Sequence, residues 1–138
     1  EYTEISESGK DLCVHVSGKK KVSEFDMYAC CWPGCLSVMY DAEKIGLIQI
    51  KDVKKNNDTA MWLKVVKKSP CYLLKETLAL YRRRAVSITP KPLCKRIWAH
   101  YPLFHVAEGM NAVHATFWVL VNVVGNAIKK AFYVRKES

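Results

Sequence analysis

The chain has 138 residues and a mass of 15.8 kDa, a length suited to one ordinary domain. Half of its residues (50%) are hydrophobic, and 22 Lys and Arg face 13 Asp and Glu, for a net charge of +9 and a pI near 9.3. These figures exclude disordered and low-complexity classes and direct attention to anionic partners: nucleic acid, anionic lipid surfaces or acidic proteins. A folded monomer of this mass exposes roughly 7,300 Å², against roughly 22,900 Å² for the extended chain, so the core needs neither disulfide nor metal.

Residues 1–8 are acidic and polar and read as a fraying end of a single basic globular domain spanning 1–138. Leu12 to Val16 alternates as a strand, closed by Gly18 and the run Lys19-Lys20-Lys21. Ser23 is placed to cap a short helix, with Asp26 three residues on as the capping-box partner and Pro33-Gly34 as the stop after Trp32. Leu36 to Tyr40 is a second strand candidate.

Residues 46–53 and 60–68, joined by the polar turn 54–58, read as a β-hairpin with Met61, Leu63 and Val65 on one face and Trp62, Lys64, Val66 and Lys68 on the other. Ser69-Pro70 then signals a helix with Cys71, Leu74, Leu78 and Tyr81 on its buried stripe and Arg82-Arg83-Arg84 at its end. Pro90 and Pro92 break the next segment, and Leu93 to His100 forms one more short helix. Ala115 to Val124 and Ile128 to Lys136 read as a second hairpin turning at Gly125-Asn126, with one long helix as the competing reading. Together these elements predict an α+β fold: an antiparallel sheet of about five or six strands with two or three short helices packed on one face.

Six cysteines admit three readings. Six half-cystines allow about 15 disulfide connectivities, as in a secreted effector-like protein acting through protein–protein contacts. Cys31 and Cys35 have the spacing of a zinc half-site but lack a second close pair, so no metal site is assigned. Cys13, Cys71 and Cys94 sit where small apolar residues belong, which favours buried free thiols and an intracellular, cytoplasmic or nuclear setting. No signal peptide is recognised, and the apolar stretch 112–124 is too short to span a bilayer.

No G-x-S-x-G, H-E-x-x-H or phosphate-loop motif occurs, the acids Asp11, Glu24, Asp26, Asp41, Glu43 and Glu76 are scattered, and His15, His100, His105 and His114 form no set. The expectation is therefore a non-enzymatic protein with no cofactor and no small-molecule substrate. The candidate binding residues are the clustered cations Lys19, Lys20, Lys21, Lys54, Lys55, Lys64, Lys68, Arg82, Arg83, Arg84, Lys95, Arg96, Lys129, Lys130 and Arg135. Trp62 and Tyr133 join them, because cations beside exposed rings suit the phosphates and bases of RNA or single-stranded nucleic acid.

The rival expectation is a self-associating, homo-oligomeric protein at an anionic membrane, with Leu103-Phe104 as an apolar wedge. The succession of a strand at Leu12–Val16, the lysine run and a short helix ending at Trp32 resembles part of the rhabdovirus matrix domain, without a diagnostic motif. That resemblance implies binding to lipid and nucleoprotein; it supports no claim of family membership.

Overall fold

The computed structural model describes residues 1–50, 53–84 and 93–136. The described residues are mixed α/β, with five α-helices, one sheet of four strands and one of two. A single antiparallel sheet of five or six strands is therefore corrected to two smaller sheets, and one pairing within the larger is parallel.

The N-terminus is structured where fraying was expected. Strand β1 (Tyr2–Ile5) lies inside the four-stranded sheet, whose order is β5 (Ala79–Arg82), β1, β2 (Asp11–Val16), β6 (Val134–Lys136). It pairs antiparallel with β2 and parallel with β5; β2 in turn pairs antiparallel with β6. The register shifts between Glu4 and Ile5, opposite Cys13, which takes a left-handed backbone (φ 51°) while its N–H is held by the Asp11 carboxylate. The second sheet joins β3 (Lys21–Val22) to β4 (Cys71–Tyr72).

Helix α1 (Glu24–Ala29) begins with the predicted capping box. The Asp26 N–H donates to the Ser23 hydroxyl, and Asp26 Oδ2 accepts from the Ser23 N–H at 2.9 Å. It stops at Cys30, earlier than the expected Trp32. Leu36 to Tyr40 is irregular, not a strand, and α2 (Ala42–Ile45) follows, capped by Asp41.

The first hairpin is corrected to helix α3 (Asn57–Lys68). Its buried residues come as Thr59-Ala60, Trp62-Leu63 and Val65-Val66, adjacent pairs repeating every three residues, while Lys64 and Lys67 point away. That is a helical period; strict alternation would have separated Trp62 from Leu63. Lys64 and Lys68 then hold the segment before the helix, donating to the carbonyls of Gln49 and Ile45. Residues 51–52 of the expected first strand lie outside the described residues.

The helix expected after Ser69-Pro70 is replaced by β4 and β5, and Leu74, Leu78 and Tyr81 are exposed. Pro90 and Pro92 lie outside the described residues, as does the side chain of Arg96. Helix α4 (Leu93–Pro102) agrees with the expected short helix and runs into a π-helical turn at Leu103–Ala107. Leu103 and Phe104 are fully buried there, so they form no membrane wedge.

The C-terminal hairpin is corrected to the long helix α5 (Ala112–Tyr133), capped by the Asn111 side chain. Val22, Met27, Leu63, Phe104, Ala115 and Val119 meet in the core, which lies among α1, α3, the π-turn and α5. No helix among the described residues is long and apolar enough to cross a membrane.

Candidate functional site

The first turn of α3 holds a carboxylate that the hairpin reading concealed. Asp58 Oδ1 accepts from the Thr59 N–H at 2.7 Å, and Oδ2 stands 3.7 Å from the Cys35 thiol. Thr59 is buried and its hydroxyl reaches Cys31 Sγ at 3.3 Å, so the turn is tied to the loop after α1 at two points. Asp58 is half-buried and, among the described residues, pairs with no cation. It stands at the positive end of the helix dipole.

Most other carboxylates near the helical core are already engaged. Asp26 pairs with Lys19, and Glu108 pairs with Lys67 at 2.5 Å and accepts from the Tyr28 hydroxyl at 2.7 Å. Burial and the neighbouring Glu108 push the Tyr28 hydroxyl far above its ordinary range. In the sheet, Glu4 is buried and takes a two-point bond from Arg83 (2.7 and 2.6 Å).

The loop after α1, whose Cys35 meets Asp58, also forms a wall of a cleft of about 430 Å³, within the range of small-molecule sites, although Asp58 itself is not among the residues that line it. Trp32, Pro33, Leu36 and Met39 line it on one side, and Tyr72, Leu73 and Leu78 are among the residues on the other. Lys129 lies over the Trp32 ring (5.5 Å) and donates to the carbonyls of Cys31 and Trp32, which fixes the ring against Tyr133. A second cleft, lined by Tyr40, Lys44, Trp62 and Lys68 among others, borders the first at Pro33, Val38 and Met39.

The candidate cations take several separate roles. Lys19 is paired with Asp26 and Arg83 with Glu4. Lys64, Lys68, Arg82 and Lys129 bond backbone carbonyls. Lys21 lies over the Tyr72 ring at 5.8 Å, and Lys20, Lys54, Lys55, Arg84, Lys95, Lys130 and Arg135 are exposed. Trp62 is a core residue, packed edge-on to Tyr40, and so is closed to a stacking base. Of the expected set, Lys129 and Tyr133 both meet the Trp32 ring at the first cleft, and Trp62 and Lys68 both line the second.

All six cysteines are free thiols. Cys13 and Cys94 are exposed, against the expectation of core packing, whereas Cys30 is buried. Burial pushes the Cys31 thiol up to about 11, and burial together with the Asp58 charge raises that of Cys35, so neither is an activated nucleophile. Among the described residues no group of three potential ligands is placed to hold a metal ion.

Comparison with known proteins found a likeness to a protein described as a glycosyltransferase. The similar protein is that of Bacillus subtilis (strain 168) described as "Putative teichuronic acid biosynthesis glycosyltransferase TuaG", 30% identical over 132 residues. The alignment takes in 94% of this chain and 51% of that protein, so the chain spans about half the length of the curated relative it matches. No protein-family model matches the chain, and no solved structure matches it.

This likeness overturns three expectations: a non-enzymatic nucleic-acid-binding module, the matrix-type and effector-type alternatives to it, and the absence of enzymatic character. Sequence reasoning misses Asp58 because residues 57–59 read as part of a turn. The signal is present in the apolar pairs beyond it, which mark a helix beginning at that carboxylate.

Proposed function

We propose that the chain forms part of a glycosyltransferase-like enzyme and that Asp58 serves as its general base. The reading is supported by the likeness to a glycosyltransferase over nearly the whole of this chain. Transfer of a glycosyl group to a hydroxyl acceptor requires removal of the acceptor proton as its oxygen attacks the anomeric carbon. In the proposed step the Asp58 carboxylate takes that proton, the new C–O bond forms, and the bond to the leaving group breaks with its electron pair going to the departing anion.

The observation that carries the assignment is the state of Asp58: oriented by Thr59 and Cys35, half-buried, and without a cationic partner among the described residues. A carboxylate already neutralised by an ion pair, as Asp26 and Glu108 are, is a poorer base. The cleft bordered by Pro33 and Leu36 is proposed to receive the acceptor, with Trp32 as an apolar wall for its ring face.

The test is a transfer assay with the whole polypeptide that carries this chain, a panel of nucleoside-diphosphate sugars as donors, and release of nucleoside diphosphate as the readout. Asp58→Asn is expected to lower turnover by about 10²–10⁴-fold with unchanged thermal unfolding. Turnover retained in Asp58→Asn removes Asp58 from the role. No turnover with any donor in the panel counts against the enzyme reading.

A further inference from the structure

We propose that α5 is a dimerisation helix whose outward face packs antiparallel against α5 of a second copy of this chain. The inference is independent of the transferase reading. Helix α5 has two apolar faces. One, with Ala115, Val119 and Asn122, is buried against the rest of the protein. The other carries Val113, Phe117, Leu120, Val124, Ile128 and Phe132, each between 48% and 77% exposed.

Three observations point to a protein partner of the same kind. The first is area. The outward side chains leave on the order of 700 Å² uncovered, above the ~300–600 Å² patch typical of monomers and close to the ~800 Å² per partner of a standard interface.

The second is charge. From Ala112 to Ile128 the helix contains no Asp, Glu, Lys or Arg. Interface cores are depleted in charge, whereas helices that lie on anionic membranes flank their apolar face with Lys and Arg.

The third is spacing. Val113, Phe117, Leu120, Val124, Ala127 and Ala131 alternate by four and three residues, the seam of a two-helix coiled coil. An antiparallel pair places Val113 opposite Ala131, Phe117 opposite Ala127 and Leu120 opposite Val124, each larger side chain against a smaller one. A parallel pair would oppose Phe117 to Phe117, leave the alanines facing a gap, and bring the cations at Lys129, Lys130, Arg135 and Lys136 to one end. Opposed helix dipoles also favour the antiparallel arrangement.

Sedimentation equilibrium of the intact protein tests this directly, with dimer expected below about 10 µM. Phe117→Glu and Ala127→Lys, both at exposed positions, are each expected to raise the dimer dissociation constant at least tenfold while circular dichroism keeps the wild-type helix content. The double variant is expected to regain most of the loss, because the introduced carboxylate and ammonium would meet only across an antiparallel pair. A wild-type protein that stays monomeric at 100 µM overturns the proposal, whether or not it cosediments with phosphatidylserine vesicles. So does a dimer indifferent to both single substitutions. Loss without rescue overturns the antiparallel register.

Discussion

Gly125, inside α5, lies against the carbonyl of Ala29 at the end of α1, so closely that a Cβ would overlap the Ala29 oxygen. On either side, Asn122 Nδ2 donates to the Tyr28 carbonyl at 3.1 Å, and the Cys30 thiol stands 3.6 Å from Asn126 Oδ1. The Asn-x-x-Gly-Asn stretch is thus a docking point where two helices cross backbone to backbone, not a turn.

Gly125→Ala is therefore expected to destabilise the protein. An exposed mid-helix Gly→Ala change gains up to about 1 kcal/mol. Here the helices must separate instead, and overpacking of this kind costs about 1–3 kcal/mol. Urea unfolding of the variant is expected to show a lower midpoint with an unchanged slope; a raised midpoint would contradict the close crossing.

Arg83→Ala leaves the Glu4 carboxylate buried without its partner. The Arg83 side chain is itself 58% exposed, so the cost is expected below that of a fully buried pair, at about 2 kcal/mol. Lys130→Ala, at an exposed site, is expected to change stability by less than about 0.5 kcal/mol. Thermal unfolding of the two variants side by side separates a structural arginine from a solvated cation.

Ser23→Ala removes one half of the α1 capping box and is expected to cost about 1 kcal/mol. Asp26→Asn keeps an acceptor for the Ser23 N–H but loses the charge facing Lys19, so its cost is expected to shrink at high salt. Chemical unfolding at low and high salt checks both.

Stability is expected to fall with acidification in two windows. Burial lowers the pKa of His100 below its ordinary 6.5. The unfolded chain then binds more protons than the folded one, and stability drops as pH falls from about 6.5 through the folded-state value. The acceptor at Nδ1, 3.4 Å from Asn56 Nδ2, is lost on protonation. A second drop comes below about 4. Burial raises the Asp26 pKa, but the bonds from Lys19 and Ser23 outweigh it and the net shift is downward. His100→Gln is expected to flatten the first window and leave the second; unfolding free energies measured from pH 3 to 8 test this.

Local signals are legible where they depend on neighbours in sequence. Ser23 and Asp26 form their box, Leu12 to Val16 lies in a strand, and the short helix from Leu93 forms, because capping and alternation act over a few residues. Asp58 is hidden because the β-rich run of α3 reads as a strand, which puts the carboxylate in a loop. β-Branched content misleads in the same way at α5, where Val, Phe and Trp stand on two helical faces.

Composition alone determined that this chain buries a core and carries a net charge of +9, since both are sums over residues indifferent to order. Only the tertiary structure decided what the charges and apolar residues do. Arg83 became the partner of a buried carboxylate, Trp62 a core residue, and the outward stripe of α5 an uncovered face. The reason is physical: Glu4 and Arg83 are separated by 79 residues in sequence and meet only because β5 pairs with β1. Charge neutralisation and burial are properties of such long-range contacts, and no local pattern of residues specifies them.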